Sequence, residues 1–155
     1  MMPGDKCVIG KSRFGKTLVA ARPIRKGALL FREEGELTPL QTKYSYQVDW
    51  DTHYEPKGPS AFINHSCEPN AFMKVTPGGK PRFYALRSIR QGEEIVIDYA
   101  TFEYQTAVFA NVECLCGSPK CRKNVRGYHA LSEADKKRLS PHVVSYLKTP
   151  RKKKH

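Results

Sequence analysis

The sequence has no apolar run long enough to span a membrane, which argues against an integral membrane protein. Residues 1–6 contain no apolar segment of the kind found in a secretory signal, so the sequence gives no indication of export. Five cysteines in such a chain are expected to be thiols or metal ligands rather than disulfides. Acidic residues are also scarce, because 15 Asp and Glu stand against 27 Lys and Arg.

The resulting formal net charge of +12 is concentrated toward the end of the chain, where residues 148–155 include five Lys or Arg and no acid. A basic body with a basic tail indicates a polyanionic neighbour such as nucleic acid, although solubility alone is the other interpretation. The run PRKKKH is similar to a nuclear-import sequence or a disordered basic arm. These features predict a nuclear or chromatin-associated location in a eukaryotic or viral setting, and a cytoplasmic one otherwise.

Short apolar runs and period-two alternation dominate the 155 residues and predict one mostly β domain. The sequence VTPGGKPRFY predicts a hairpin that turns at Pro77-Gly78-Gly79. The predicted strands cover residues 16–21, 28–33, 71–75, 81–89 and 93–100.

Two segments depart from the strand pattern. Residues 132–147 have helical character, with Ser132 as the expected N-cap and Pro141 as a break or restart. Residues 34–60 contain several aromatics and prolines, so we expect an irregular, loop-rich insert that offers a substrate surface.

The stretch FINHSCEPNAF, residues 62–72, places an amide, an imidazole, a hydroxyl and a thiol in four consecutive positions. A metal site, a thiol nucleophile, a ligand-binding loop and an ordinary turn are all compatible with this composition. The stretch therefore marks a candidate site without fixing its chemistry.

A second cluster of thiols follows in CLCGSPKC, which supplies Cys114, Cys116 and Cys121. Structural zinc takes four ligands in a tetrahedron, so three thiolates leave one place open. Cys67 would fill that place, and His65 is the rival fourth ligand. Three free buried thiols are the alternative to a metal site. The remaining cysteine near the start of the chain is expected to be a small buried hydrophobe.

Three motifs occur together in one order: FINHSCEPNA, then GEEIVIDYA, then CLCGSPKCR. In that order they resemble the SET-domain protein lysine methyltransferases with a post-SET zinc motif, and GKTLVAARPIRKGALLF resembles the family's first strand pair. The resemblance implies small curved β-sheets with a pseudoknot, a post-SET zinc loop and a short C-terminal helix. It divides the chain into a SET domain (5–105), a post-SET zinc motif (110–127), a C-terminal helical extension (128–147) and a basic disordered tail (148–155).

The resemblance also implies an activity, the transfer of a methyl group from S-adenosylmethionine to a lysine ε-amine. The expected substrate is a histone tail or another lysine-containing protein, with DNA or the nucleosome contacted through the basic surface and no membrane partner. The family's Gly-x-Gly cofactor loop reads Gly15-Lys16-Thr17 here, and a positive φ at Thr17 would cost about 1 kcal/mol or more. The alternative is therefore a catalytically weak SET-like module that binds chromatin or protein.

Site residues follow from the same motifs. Tyr99 matches the catalytic tyrosine, and we expect it to position the amine, because a phenol with a pKa near 10 is a poor base at neutral pH. Phe102 or Tyr104 is expected in the substrate channel, where Phe102 would predict di- or trimethylation and Tyr104 monomethylation. Tyr46 could be a channel wall or a cofactor contact, and core packing is an equal alternative for it. Lys16 could equally be a solvated charge, and Asn64 with His65 could form an ordinary satisfied turn. The expected cofactor contacts are Phe14, Gly15, Lys16, Tyr46, Asn64 and His65, and the expected zinc ligands are Cys67, Cys114, Cys116 and Cys121.

Overall fold

A computed structural model describes residues 5–109 and 112–152, which contain three small β-sheets and one short α-helix. The helix α1 spans Glu133–Leu139. The strands of the described residues are β1 (Cys7–Ser12), β2 (Gly15–Ala20), β3 (Leu29–Phe31), β4 (Gly35–Thr38), β5 (Tyr46–Asp49), β6 (Thr52–Pro56), β7 (Asn64–His65), β8 (Ala71–Val75), β9 (Pro81–Ala85) and β10 (Val96–Ile97).

The sheets confirm the mostly β prediction. Strands β1 and β2 form an antiparallel hairpin, and β4, β6 and β5 form a three-stranded sheet in that order. The largest sheet has the order β3-β9-β8-β10-β7. Its β8–β9 hairpin is the one predicted from the sequence, and Gly79 in the turn has a φ of +80°, a value that favours glycine.

The prediction of an irregular insert over residues 34–60 is wrong, because this segment contains the three-stranded antiparallel sheet. Strands β5 and β6 join at a tight turn in which Asp49 pairs with Thr52. Residues 46–48 of β5 are all buried, and the strand alternates apolar and polar residues in the order Tyr46-Gln47-Val48-Asp49. The alternation covers only four residues of β5, so the strand signal in this segment was short and the prediction did not use it.

The strand predicted over residues 93–100 is shorter than expected, since it is reduced to Val96–Ile97 and an isolated antiparallel bridge between Glu94 and Val19. It ends because Asp98 caps a 3₁₀ turn, Tyr99–Thr101, by accepting a hydrogen bond from the backbone N–H of Ala100. The polar residue that follows the strand therefore sets the position of the tyrosine.

The helix predicted over residues 132–147 is confined to α1. Its N-cap is confirmed, because Ser132 accepts a hydrogen bond from the backbone N–H of Asp135. Pro141 lies in the 3₁₀ turn that directly follows α1, where its ring ends the regular helix. Across residues 5–109 and 112–152, no helix combines the length and the apolar character needed to cross a membrane.

The end of the chain packs against the turn that carries Tyr99. The backbone N–H of Val144 donates to the carbonyl of Thr101 at 2.9 Å, and the Tyr146 hydroxyl donates to the carbonyl of Phe102. Arg151 forms an ion pair with Asp51 at 2.7 Å. Part of the predicted disordered tail is therefore seen in contact with the body, while residues 153–155 lie outside the described residues.

Candidate active site and metal centre

Strand β7 carries Asn64 and His65 and pairs in parallel with β10, with Val96 opposite Asn64 and Ile97 opposite His65. The backbone N–H of Ser66 extends the pairing by donating to Ile97 at 3.1 Å. Two segments that are distant in sequence are thereby held side by side, which is the link that the predicted pseudoknot requires. The asparagine–histidine pair consequently lies next to the turn that begins with the tyrosine.

Tyr99 is half-buried and held at its hydroxyl. The hydroxyl donates a hydrogen bond to the carbonyl of Ile63 at 2.7 Å. Burial, followed by the charge of Glu103, raises the pKa of Tyr99 above its ordinary value. The phenol is therefore neutral in the physiological range.

A narrow pocket opens beside Tyr99, with aromatic and apolar inner walls. Tyr46, Ile63 and Phe102 are each at most 3% exposed and line it together with Tyr99. The ring centroids of Tyr46 and Phe102 lie 4.9 Å apart. At the mouth the lining side chains are more accessible, and Tyr44 is 43% exposed. The pocket is shaped for a slender, mostly apolar side chain.

Of the two residues predicted for the channel, Phe102 lies in the pocket wall and Tyr104 does not. Tyr104 is 40% exposed and packs edge-on against Trp50, with ring centroids 5.1 Å apart. Glu103, which lies between them, also lines the pocket and was missed by sequence reasoning.

The Asn64 side chain does not line the pocket and points toward the β1–β2 hairpin. Its Nδ2 donates to Thr17 Oγ1 at 3.2 Å and to Glu94 Oε1 at 3.0 Å. Thr17 itself donates to Glu94, is 1% exposed, and lies in β2 without a positive φ. The residue that needs glycine is Gly15, with a φ of +103°. The threonine is therefore a strand residue that orients the asparagine amide.

The turn of the β1–β2 hairpin lies close to residues 112–127, the cysteine-rich loop. Phe14 is 55% exposed, and Lys16 Nζ lies 5.5 Å from the ring centroid of Phe62. The Arg13 guanidinium donates to the carbonyl of Leu115 in the cysteine-rich loop. The predicted cofactor contacts of this turn thus lie near Asn64 and beside that loop. Tyr46, predicted as either a channel wall or a cofactor contact, lines the pocket.

The cysteine cluster fits a tetrahedral metal site. The ligand atoms of Cys67, Cys114, Cys116 and Cys121 all lie within 4.8 Å of one another. Four thiolates at about 2.3 Å from one zinc ion stand about 3.8 Å apart, and the Sγ atoms of Cys67 and Cys114 are 3.8 Å apart. Burial raises the pKa of Cys67 to about 11, so a bound cation would be needed to keep this thiol ionised.

His65 supports the cluster from outside the set of four sulfurs. Burial lowers its pKa to about 4, so the ring is neutral. Its Nδ1 accepts the backbone N–H of Tyr99 at 3.1 Å, which leaves the proton on Nε2. Nε2 lies 3.4 Å from Cys67 Sγ and donates to that sulfur. The histidine therefore joins the metal site to the turn of Tyr99 and is not needed as a fourth ligand.

A second link between the same two regions is an ion pair. Arg122, directly after the last cysteine, donates to both carboxylate oxygens of Asp98 at 2.7 and 2.8 Å. The Asp98 side chain is fully buried, and that of Arg122 is 18% exposed. Sequence reasoning missed this arginine, since a basic residue beside a metal ligand is a weak signal in so basic a chain.

Replacing Arg122 with methionine should destabilise the fold by about 3–5 kcal/mol, because the Asp98 carboxylate would stay buried without its cation. The free energy of unfolding, measured by urea denaturation, tests this. Arg126→Met, at an exposed position of the same loop, is the matched control. The double variant Asp98→Asn/Arg122→Met should recover part of the loss, and a loss below about 1 kcal/mol for Arg122→Met would contradict the role of the pair.

Comparison with known proteins assigns the class. A family model described as the SET domain matches residues 15–100, more than half of the chain. The chain belongs to the SET-domain family, and the cysteine cluster is what a post-SET zinc motif would supply.

Among similar proteins is a variant-silencing SET domain-containing protein of Plasmodium falciparum, 34% identical over 134 residues that cover 83% of this chain and 5% of the relative. Another is an H3 lysine-4 specific histone-lysine N-methyltransferase of Saccharomyces cerevisiae, 36% identical over 106 residues that cover 64% of this chain and 10% of the relative. The chain thus spans a tenth or less of the length of these two relatives.

A solved structure supports the fold. It is the crystal structure of a candidate histone methyltransferase of Plasmodium falciparum, with a TM-score of 0.50 and 24% identity. The likeness covers 61% of this chain and 96% of the other. At this identity it bears on the architecture alone, which agrees with the small β-sheets described above.

Proposed function

We propose that the chain is an S-adenosylmethionine-dependent protein lysine N-methyltransferase that acts on a histone lysine. The proposal rests on one observation: the aromatic pocket and the region beside the β1–β2 hairpin adjoin at two consecutive residues. Ile63 lines the aromatic pocket, and the next residue, Asn64, is held toward the β1–β2 hairpin. A lysine side chain entering the pocket would end beside Tyr99, where a methyl donor bound on the Asn64 side can meet it.

The pocket is suited to an amine that must become neutral. With an unperturbed pKa of about 10.4, a lysine at pH 7 pays roughly 4–5 kcal/mol to lose its proton. The buried walls formed by Tyr46 and Phe102 lower that cost because they disfavour the charged form, while their ring faces still accept a cation on its way in. Phe102 brings no hydroxyl to the wall, which supports di- or trimethylation.

Tyr99 would position the amine nitrogen. The hydroxyl oxygen, which donates its hydrogen to the Ile63 carbonyl, would accept an N–H of the substrate. This contact would align the nitrogen lone pair with the methyl group, and alignment is the main requirement of an in-line transfer.

The donor would be held by the hairpin turn and by β7. Fixed through Nδ2, Asn64 presents its amide oxygen as the remaining acceptor for a ligand amino group. Backbone groups of Phe14, Gly15, Lys16 and His65 would complete the site. S-adenosylmethionine would supply the electrophilic methyl group, and a zinc ion on the four cysteines would keep the loop that Arg13 contacts in place.

The test is methyl transfer from labelled S-adenosylmethionine to recombinant nucleosomes and to free histones, with a Tyr99→Phe protein alongside. Label on one histone, lost in the variant, is the expected result, and mass spectrometry would then give the lysine and the number of methyl groups. Absence of label on every substrate, together with absence of cofactor binding, would overturn the proposal in favour of a binding module.

Histones as substrates and a nuclear location are supported by the names of the relatives and by the charge of +12. The basic surface would dock on nucleosomal DNA, so binding to nucleosomes should weaken steeply as salt rises. The alternative of a catalytically weak module rested on a strained Thr17. Thr17 lies in β2 without a positive φ, so the strain that favoured this alternative is absent at Thr17.

Restoring the family's second glycine should therefore weaken cofactor binding. Thr17→Gly removes the hydroxyl that orients Asn64 and loosens a buried strand, so we expect an increase in Kd of about tenfold. Equilibrium binding of labelled S-adenosylmethionine measures this, with Thr76→Gly in the β8–β9 hairpin as the control. Tighter binding by the Thr17→Gly protein would show that the threonine is a defect after all.

A further inference from the structure

The wall of the pocket contains a carboxyl group. Glu103 is 5% exposed and is the one acid among the described residues that line the pocket. Its backbone N–H donates to the carbonyl of Tyr99 at 2.8 Å, so the glutamate is fixed to the turn that carries the tyrosine. A buried acid beside an otherwise apolar channel is costly, and its partners show how the fold tolerates it.

The partners of Glu103 are neutral. Gln41 Nε2 donates to Oε2 at 2.7 Å, and the backbone N–H of Gln47 donates to Oε1 at 3.2 Å. Within residues 5–109 and 112–152, no Lys, Arg or His forms an ion pair with this carboxylate. A buried carboxylate normally forms an ion pair with a cation, and here a bound ligand would supply that cation.

Among the described residues, the titratable groups that line the pocket with Glu103 are Lys43, Tyr44, Tyr46 and Tyr99, and Tyr146 lies close enough to interact with its charge. Tyr46, Tyr99 and Tyr146 each have their pKa raised, by burial first and by Glu103 among the further causes. All three are therefore neutral at physiological pH. Lys43 lies among the accessible residues at the mouth. Glu103 accepts two hydrogen bonds and has no cationic partner among the described residues. Burial therefore raises its pKa to about 7.

We propose that Glu103 is the catalytic base of the reaction, which takes the proton from the ε-ammonium of the substrate lysine in the pocket. The inference rests on the proposed function and deepens it. Each carboxylate oxygen accepts one hydrogen bond from the protein and keeps a lone pair for the ammonium. A carboxyl group that titrates near neutrality has the proton affinity that this task needs at cellular pH.

The step balances without another reactant. The ammonium proton moves to the Glu103 carboxylate, which gives a neutral amine and a neutral carboxylic acid and leaves no net charge in the channel. The amine nitrogen then forms a bond to the methyl carbon while the carbon–sulfur bond breaks, and its electron pair stays on sulfur. The methylated product is an ammonium ion, and Glu103 returns its proton to solvent when the product leaves.

The decisive experiment is the pH profile of kcat/KM for a histone substrate with wild type and Glu103→Gln. In the wild type, activity should reach a plateau above about pH 7, set by Glu103. In the variant it should keep rising about tenfold per pH unit toward the pKa of lysine, about 10.4. The loss at pH 7.5 should be about 10²–10⁴-fold and should shrink as the pH approaches 10.

The matched control is Glu36→Gln, an exposed carboxylate on β4 outside the pocket, which should leave the profile unchanged. Equal profiles for wild type and Glu103→Gln would overturn the role of Glu103 and leave the methyltransferase standing. A wild type that methylates nothing at any pH would overturn the proposed function, and the inference would fall with it.

A second measurement needs neither activity nor a folded variant. In wild-type protein with ¹³C-labelled glutamate, the side-chain carboxyl of Glu103, assigned through its own backbone, should titrate near pH 7. A midpoint below about 5.5, close to that of ordinary glutamate, would overturn the inference by itself.

Discussion

Tyr99→Phe should slow methyl transfer by about 10²–10³-fold while leaving the fold and the cofactor affinity nearly intact. The lost hydroxyl is the group that would hold the amine nitrogen in line with the methyl group, at the inner end of the pocket. The ring would stay in place, because it packs against Phe102 and His65 with centroid distances of 5.6 and 5.2 Å. The Ile63 carbonyl loses one hydrogen bond, a cost of about 1 kcal/mol.

The measurement is kcat and KM for a histone substrate, together with the Kd for S-adenosylmethionine and the melting temperature. Tyr84→Phe, a half-exposed tyrosine on β9 stacked against Phe72, is the control that should keep full activity. Since Tyr99 is neutral in the wild type, its loss should lower kcat by a similar factor at every pH. An active Tyr99→Phe protein would remove Tyr99 from the reaction.

Cys116→Ser should abolish stoichiometric zinc binding and destabilise the cysteine-rich loop. A structural zinc site contributes an apparent binding free energy of about 10–16 kcal/mol, and three thiolates hold the ion much less well than four. The loss should reach the pocket, because His65 and Arg122 connect the cluster to the turn of Tyr99. Methyl transfer should therefore fall although no residue of the pocket has changed.

Zinc content by mass spectrometry and amide hydrogen exchange test this prediction. Wild type should contain one zinc per chain, and the variant should exchange faster over residues 112–127. Cys7→Ala is the matched control, since Cys7 is buried in the main core far from the cluster in sequence and is not among the four ligands. A wild-type protein that holds no zinc when expressed with the metal present would end the proposal of a metal site.

The sequence predicted the parts of the site whose spacing is local. The three cysteines of CLCGSPKC pointed to a metal, and the fold brings the sulfur of Cys67 to them, as expected for a fourth ligand. Tyr99 and Asn64 were predicted from the motifs. Asn64 lies in β7, and Tyr99 follows β10, the strand that pairs with β7. The β8–β9 hairpin was predicted because its turn residues and alternation are contiguous.

What the sequence did not predict depends on partners that are distant along the chain. Glu103 is 62 residues from Gln41, and Arg122 is 24 residues from Asp98, so neither pair leaves a pattern in a window of the sequence. The sheet formed by β4, β5 and β6 was missed for a different reason. Its strands are only four or five residues long, so the alternation of Tyr46-Gln47-Val48-Asp49 in β5 is a short signal.

The packing of the C-terminal segment has a consequence for synthesis on the ribosome. Hairpins such as β1–β2 and β8–β9 form within microseconds, whereas translation adds about 5–20 residues per second, so they are complete soon after they emerge. The pocket wall at Phe102, in contrast, is supported from behind by Val144 and Tyr146. A nascent chain therefore holds its sheets long before it holds a finished pocket, and the proposed activity begins only after residues 144–146 have left the ribosome and packed.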